Sequence, residues 1–257
     1  MKILITGHKG FIGRHLFEDW KDRWHRMTYG IDLPDDIANF DKGGEELIKN
    51  GNADETGYDV IVHLAAWTDI RESLEDPEKY YENNVAKSKP IFDYCWETGT
   101  RLIYASSSAV DGPYWENPYA TSKWMLEQMA PPNSVGLRLT TVYGSDSRDN
   151  MMYGMLKNGT APYITNHKRD WIHVDDVVSV ITRLAKDGDV NGIIPVGSGE
   201  SVPVKKLAEA FGQGDLPVRT DTPGEVEDNV ADISILRSLG WSPTIKILDF
   251  VNADLQA

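Results

Sequence analysis

The chain has 257 residues, 40 acidic against 26 basic, for a net charge of −14. That length buries a sizeable core, as one large α/β domain or as one domain with a small lobe, and the charge disfavours nucleic acid and anionic membranes as partners. The single cysteine, Cys95, excludes an intrachain disulfide framework and a cysteine-rich metal site. Met1-Lys2-Ile3-Leu4-Ile5 is too short an apolar run for a signal peptide, and no segment is long enough to span a bilayer. A soluble, cytoplasmic chain in a reducing compartment is therefore expected. The six histidines show no ligand-type spacing, so no metal is expected.

In chain order, Lys2-Ile3-Leu4-Ile5 reads as a strand buried on both faces. It runs into Thr6-Gly7-His8-Lys9-Gly10-Phe11-Ile12-Gly13, and a helical pattern follows through Trp20. Glycines at 7, 10 and 13 let a strand turn sharply into a helix whose first amides face a phosphate. A glycine turn without ligand is the plain alternative, but strand before and helix after favour a dinucleotide. The second strand, Met27-Thr28-Tyr29-Gly30-Ile31, ends in Asp32. An acid about 20 residues beyond the glycine loop suits a ribose 2′-hydroxyl and repels a 2′-phosphate, which selects NAD over NADP; an ordinary turn aspartate is the other reading. Asp36 and Ile37 are further candidates for the adenine end.

Asp59-Val60-Ile61-Val62-His63-Leu64-Ala65-Ala66 is another buried strand, and Leu64, Ala65 and Ala66 at its end would let backbone lie against a dinucleotide. His63, inside the apolar run, reads as a satisfied core histidine. A helical stretch from Ser73 to Thr98 holds Asn83 and Asn84, and Pro90 should kink or divide it. Arg101-Leu102-Ile103-Tyr104-Ala105 is the next strand and leads into Ser106-Ser107-Ser108. Serines beyond a strand's carboxyl end can orient a substrate hydroxyl, or be a loop with no catalytic duty. There is no Gly-x-Ser-x-Gly elbow for a nucleophilic serine.

Tyr119 and Lys123, four apart on a helix, share one face. A phenol ionises near pH ~10, too high for a base at neutral pH, and a nearby ammonium favours the phenolate. Taken alone the pair is a solvated helix face. Later strands at Val135-Gly136-Leu137-Arg138-Leu139 and Ile193-Ile194-Pro195-Val196 complete an alternation of strands and helices that argues a doubly wound parallel sheet.

The ordered series Thr6-Gly7-x-x-Gly10-Phe11-Ile12-Gly13, Asp32, His63-Leu64-Ala65-Ala66, Asn84-Val85, Ser106-Ser107-x-x-Val110-x-Gly112, Tyr119-x-x-x-Lys123, Arg169-Asp170-Trp171-Ile172-His173-Val174-Asp175-Asp176, Val196-Gly197-Ser198-Gly199-Glu200, Pro223-Gly224-Glu225 and Leu239-Gly240-Trp241-x-Pro243 resembles the extended short-chain dehydrogenase/reductase family. The likeness is to its NAD-dependent epimerase/dehydratase branch, which acts on nucleotide sugars. The resemblance implies a Rossmann sheet of about seven strands, with residues 1–145 and 168–197 binding NAD. Residues 146–167 and 198–257 would form a smaller lobe for a nucleotide-diphosphate sugar. It further implies a homodimer through the helices carrying Asn84 and Tyr119.

Carried over, Tyr119 would be the acid/base, and Lys123 would bind the nicotinamide ribose and lower the Tyr119 pKa. Ser107 would share the hydroxyl's proton, with Ser108 the alternative one residue on. Gly7, Gly10 and Gly13 would line the pyrophosphate beside Phe11 and Ile12, and Arg169 would meet the substrate diphosphate; a surface ion pair with Asp170 is its plainer reading.

Departures bear on the substrate side. Thr141 stands where the family usually has asparagine, Thr222 replaces the arginine before Pro-Gly-Glu, and Asp111 replaces a tyrosine. Arg219 is the candidate substitute for the lost arginine. In 4,6-dehydratases an Asp-Glu pair usually follows the serine or threonine, and decarboxylating relatives carry a glutamate in this loop. Ser108-Ala109 stand here instead, which favours 4-epimerisation. A related oxidoreductase or dehydratase, or a non-catalytic NAD-binding module with a reduced sugar lobe, are the competing readings.

Overall fold

The computed structural model describes residues 1–23, 28–31 and 57–255. Asp32, Asp36 and Ile37 lie outside the described residues. Six strands form one all-parallel sheet: β1 (Ile3–Thr6), β2 (Thr28–Ile31), β3 (Val60–His63), β4 (Arg101–Ser107), β5 (Ser134–Leu139) and β9 (Gly192–Val196), in the order β2-β1-β3-β4-β5-β9. The sheet thus has six strands among the described residues, against about seven expected. Strands β1, β3 and β4 are buried along their whole length, as their continuous apolar runs demand once helices cover both faces. One face packs on α1 (Phe11–Arg23) and α7 (Val174–Lys186), the other on α4 (Lys89–Thr98) and α5 (Pro118–Met129).

The chain leaves β1 for β2 on one side and returns to β3 on the other. The crevice between β1 and β3 is therefore a switch point, where doubly wound sheets bind ligands. Between β3 and β4 the expected long helix is broken into α2 (Ile70–Glu75), α3 (Pro77–Tyr81), a π-helical turn (Glu82–Ala86) and α4. Pro90 sits in the first turn of α4, where its missing amide costs no helical hydrogen bond. The division falls just before it. Asn84, in the wide turn, points inward: its amide donates to Ser122 Oγ (3.0 Å) and the Trp67 carbonyl (2.9 Å), tying α5 to the chain after β3.

A second sheet joins β6 (Thr141–Tyr143), β8 (Lys168–His173) and β10 (Ser201–Pro203) in the order β10-β8-β6. Strand β8, within the 168–197 stretch expected to bind NAD, pairs with β6 and β10. A two-stranded ribbon, β7 (Ile164–Thr165) with β11 (Val218–Arg219), lies beyond. Helices α6 (Met152–Lys157), α8 (Val204–Ala210), α9 (Ser234–Ser238) and α10 (Ile247–Asp254) complete the carboxyl-terminal part. Tyr143, Tyr153, Trp171, Leu207 and Val251 form a core there separate from those of the main sheet. Among the described residues no helix is long and apolar enough to cross a membrane.

His63 is buried at 2 % exposure and satisfied on both nitrogens, Nδ1 to Thr6 Oγ1 and Nε2 to Ser88 Oγ, each at 2.8 Å. Burial, aided by the charge of Lys123, pulls its pKa from 6.5 to about 3, so the ring is neutral. It is the core histidine its apolar neighbours suggest.

Candidate active site

A cleft of about 420 Å³ opens over the carboxyl ends of the main-sheet strands and runs toward the second sheet. Its floor is the glycine loop. Gly7 adopts φ +70° and closes a tight turn, with the Gly10 amide donating to the Gly7 carbonyl (2.9 Å). A Cβ on Gly13 would stand 2.0 Å from the Gly7 carbonyl oxygen, and one on Gly7 would stand 2.8 Å from the Ala65 Cα. Both contacts are with backbone and cannot be relieved by turning a side chain. Gly7, Gly10, Phe11, Ile12, Gly13, Leu64 and Ala66 line the cleft. Ala65 instead buttresses the loop from below. Backbone this bare, feeding a helix N-terminus, is a cradle for a pyrophosphate.

Further along the cleft stand Ser107, Ser108, Tyr119 and Lys123. Asn117 starts α5: its side-chain oxygen accepts from the Ala120 amide (3.1 Å), and Pro118 supplies the first helical residue. Tyr119 and Lys123 then project on one face, 9 % and 2 % exposed. Burial pushes the Tyr119 hydroxyl above the usual phenol value, opposed by a hydrogen bond with Ser107 and by the charge of Arg148. Burial brings the Lys123 ammonium down to about 7. Lys123 Nζ lies 5.9 Å from the centre of the Tyr119 ring and donates to the Ala105 carbonyl (2.8 Å). Ser107 and Arg148 act to lower the Tyr119 pKa, and burial outweighs both. Desolvation penalises phenolate and ammonium separately, and each ion would be stabilised by forming beside the other.

Ser107 closes β4, where its Oγ also accepts from the Ala109 amide (3.2 Å); Ser108 Oγ accepts from Asn229 Nδ2 (2.9 Å). Behind them, Glu127 on α5 accepts from Ser106 Oγ (2.6 Å) and pairs with Arg138 (2.7 Å), which also binds Asp111. Asp111, unusual at its position, is thereby explained: it caps a charge network holding the serine loop to the helix of Tyr119.

The far end of the cleft is built from Thr141, Arg71, Arg148, Arg169 and Glu225. Glu225 Oε1 accepts from Arg71 (2.8 Å) and its Oε2 from Arg169 (3.2 Å). Arg169 therefore faces the cleft and pairs with Glu225, not with its neighbour Asp170. Asp170 is buried and accepts from the amides of Ser198, Gly199 and Ala231, organising the return of the chain after β9. Thr222, in the place of the lost arginine, meets His167 Nε2 (3.0 Å), while His167 Nδ1 accepts from Arg169 (2.7 Å). Arg219 does not line the cleft; it is exposed on the β7–β11 ribbon, donating to the Tyr163 hydroxyl (3.0 Å) and the Asp221 carbonyl (2.8 Å).

Arg71, Arg148 and Asn229 went unnoticed in the sequence, and Glu225 was seen only as part of a motif. The signal for Arg71 was its place just beyond β3, at the carboxyl edge where this fold keeps its ligands.

A description of the NAD dependent epimerase/dehydratase family matches residues 3–197. The chain belongs to that family. The cofactor of the family is NAD, and the glycine cradle fits it. Among similar proteins, Protein CapI of Staphylococcus aureus is 29% identical, over 98% of this chain and 96% of its own. The UDP-glucose 4-epimerase of Caenorhabditis elegans is 25% identical, over 94% and 93%. Each alignment runs over 323 positions against a chain of 257 residues, so these relatives carry segments that this epimerase-family chain lacks. Among solved structures, MoeE5 in complex with UDP-glucose and NAD superposes with a TM-score of 0.84 at 22% identity, covering 100% of this chain and 98% of that one. MoeE5 in complex with UDP-glucuronic acid and NAD gives 0.82 at 23%, covering 98% and 97%.

Proposed function

We propose that the chain is an NAD-dependent nucleotide-sugar 4-epimerase whose preferred sugar carries a carboxylate at carbon 6. The observation that carries the first part is the meeting of Ser107, Tyr119 and Lys123 in the cleft floored by the glycine loop, with Ala109 and Ser108 where an acid would serve dehydration. When bound, NAD supplies a reversible acceptor for the hydrogen on carbon 4. Tyr119, as the phenolate formed beside the Lys123 ammonium, takes the proton of the 4-hydroxyl while Ser107 holds that oxygen. Lys123, already fixed by the Ala105 carbonyl, forms the cationic partner of the tyrosinate. Burial of both groups keeps water from the transient 4-keto sugar. After the ketone turns over, Tyr119 returns the proton to the new alcohol, and no net redox change results. The homodimer implied by the family resemblance belongs to the same proposal and is tested by light scattering.

Arg148 supports the choice of sugar. Its charge acts on the Tyr119 oxygen, its Nη2 donates to Thr68 Oγ1 (2.8 Å), and among the described residues no carboxylate pairs with it. Carbon 5 adjoins carbon 4, so a carboxylate borne on carbon 5 falls within reach of a guanidinium that acts on Tyr119. The relative solved with UDP-glucuronic acid is a precedent for such a ligand on this fold. The test is incubation with catalytic NAD and a panel of UDP-, GDP- and dTDP-sugars, read by proton NMR. The 4-epimer should appear fastest from UDP-glucuronic acid, without accumulating reduced cofactor. A stable keto-deoxy sugar, or stoichiometric reduction of NAD, overturns the reading.

A further inference from the structure

The family resemblance leaves a deficit at the substrate's diphosphate, because the arginine usual before Pro-Gly-Glu is Thr222 and the Thr222 hydroxyl is engaged by His167. Arg219, on the exposed ribbon, shares the Tyr163 hydroxyl with Arg71 but is not among the residues that line the cleft. From the opposite wall, Arg71 reaches the same spot from the first turn of α2. That turn is fixed by Asp69, whose side chain accepts from the amides of Arg71 (2.9 Å) and Glu72 (3.1 Å). The guanidinium lies 5.3 Å from the centre of the Tyr163 ring and donates to its hydroxyl. Two guanidiniums, Arg71 and Arg169, are thus held on either side of one anion, and that anion is the chain's own Glu225.

We propose that Arg71 is the second diphosphate-binding guanidinium of this cleft, in place of the arginine lost at Thr222, and that Glu225 occupies the clamp as an internal anion until a nucleoside diphosphate displaces it. Glu225 takes one arginine on each carboxylate oxygen, is 12 % exposed and is itself among the residues that line the cleft. Two fixed cations facing a common point would repel one another without an anion between them. A carboxylate supplies that anion in the free protein, and a diphosphate, with more charge and more acceptor oxygens, supplies a better one. The Pro223-Gly224-Glu225 turn is anchored separately, its Gly224 carbonyl accepting from Asn117 Nδ2 (3.0 Å). Glu225 can therefore release the arginines by turning its side chain, with the turn left in place.

This inference rests on the nucleotide-sugar reading above and is tested by binding, without turnover. UDP and uridine are titrated calorimetrically into the NAD-loaded protein and its variants at low salt. Arg71→Ala should weaken UDP by about 10- to 100-fold and uridine by less than about twofold, with Arg71→Lys recovering part of the loss. Glu225→Gln should tighten UDP several-fold and leave uridine unchanged. Equal weakening of UDP and uridine in Arg71→Ala means that Arg71 only shapes the cleft, and it overturns the clamp. Unchanged or weaker UDP binding in Glu225→Gln overturns the internal anion. If the unaltered protein binds no nucleoside diphosphate, the nucleotide-sugar reading itself falls; if it binds UDP without the Arg71 dependence, only the inference does.

Discussion

The two halves of the cleft are held by different forces. On the cofactor side, parallel strands buried end to end bring a glycine loop and a serine loop to one edge, and the contacts that matter are between backbone and backbone. On the substrate side, short strands and turns are fixed by buried or half-buried charges: Asp170 on three amides, Asp176 on Thr244 and Ile245, Glu225 between two arginines. Backbone packing tolerates almost no change in residue, whereas charges can be supplied from several points of the chain. The family pattern is accordingly intact at the glycine loop and rearranged at the far end of the cleft.

Replacing Tyr119 by Phe should separate the halves most sharply. Turnover should fall by at least about 10²-fold, the contribution of a positioned acid/base, while NAD affinity holds; NMR rates and calorimetry check it, and full activity would remove the proposed chemistry. Gly13→Ala is the converse. With no soft neighbour to give way, NAD affinity should drop by more than tenfold, about 1.4 kcal/mol, and unaltered affinity would contradict the cradle.

The cofactor half should also carry the acid sensitivity. His63 titrates near 3 in the fold against 6.5 ordinarily, so the unfolded chain binds the extra proton in between and stability falls as pH drops through that window. About 2 kcal/mol should be lost from this group between pH 6.5 and 5. His63→Gln should start less stable at pH 7 and lose less on acidification, measured by thermal melts; parallel curves would count against a neutral buried imidazole.

On the substrate side, Arg148→Ala should cut the preference for UDP-glucuronic acid over UDP-glucose by about tenfold, a charge-assisted contact's worth. An unchanged ratio would leave the sugar open. The smallest effect joins the two halves: Asn117→Ala removes both the cap of α5 and the tether to Gly224. It should lower stability by about 1 kcal/mol and raise KM for the sugar nucleotide more than that for NAD.

The sequence alone determined the strand–glycine–helix start, the division of the helix at Pro90, the neutral core role of His63, and Tyr119 with Lys123 on one helix face. Each depends on neighbours within a few residues, through backbone freedom, helical period or a run of apolar side chains. Tertiary structure decided the rest. It paired β8 with β6 and β10, left Arg219 out of the cleft lining, and brought Arg71 to Glu225 across 154 residues of chain. It also buried Tyr119, which raises its pKa, with Ser107 and the charge of Arg148 opposing the rise. Charge interactions act through space and depend on desolvation, and neither distance nor burial is written in the order of residues.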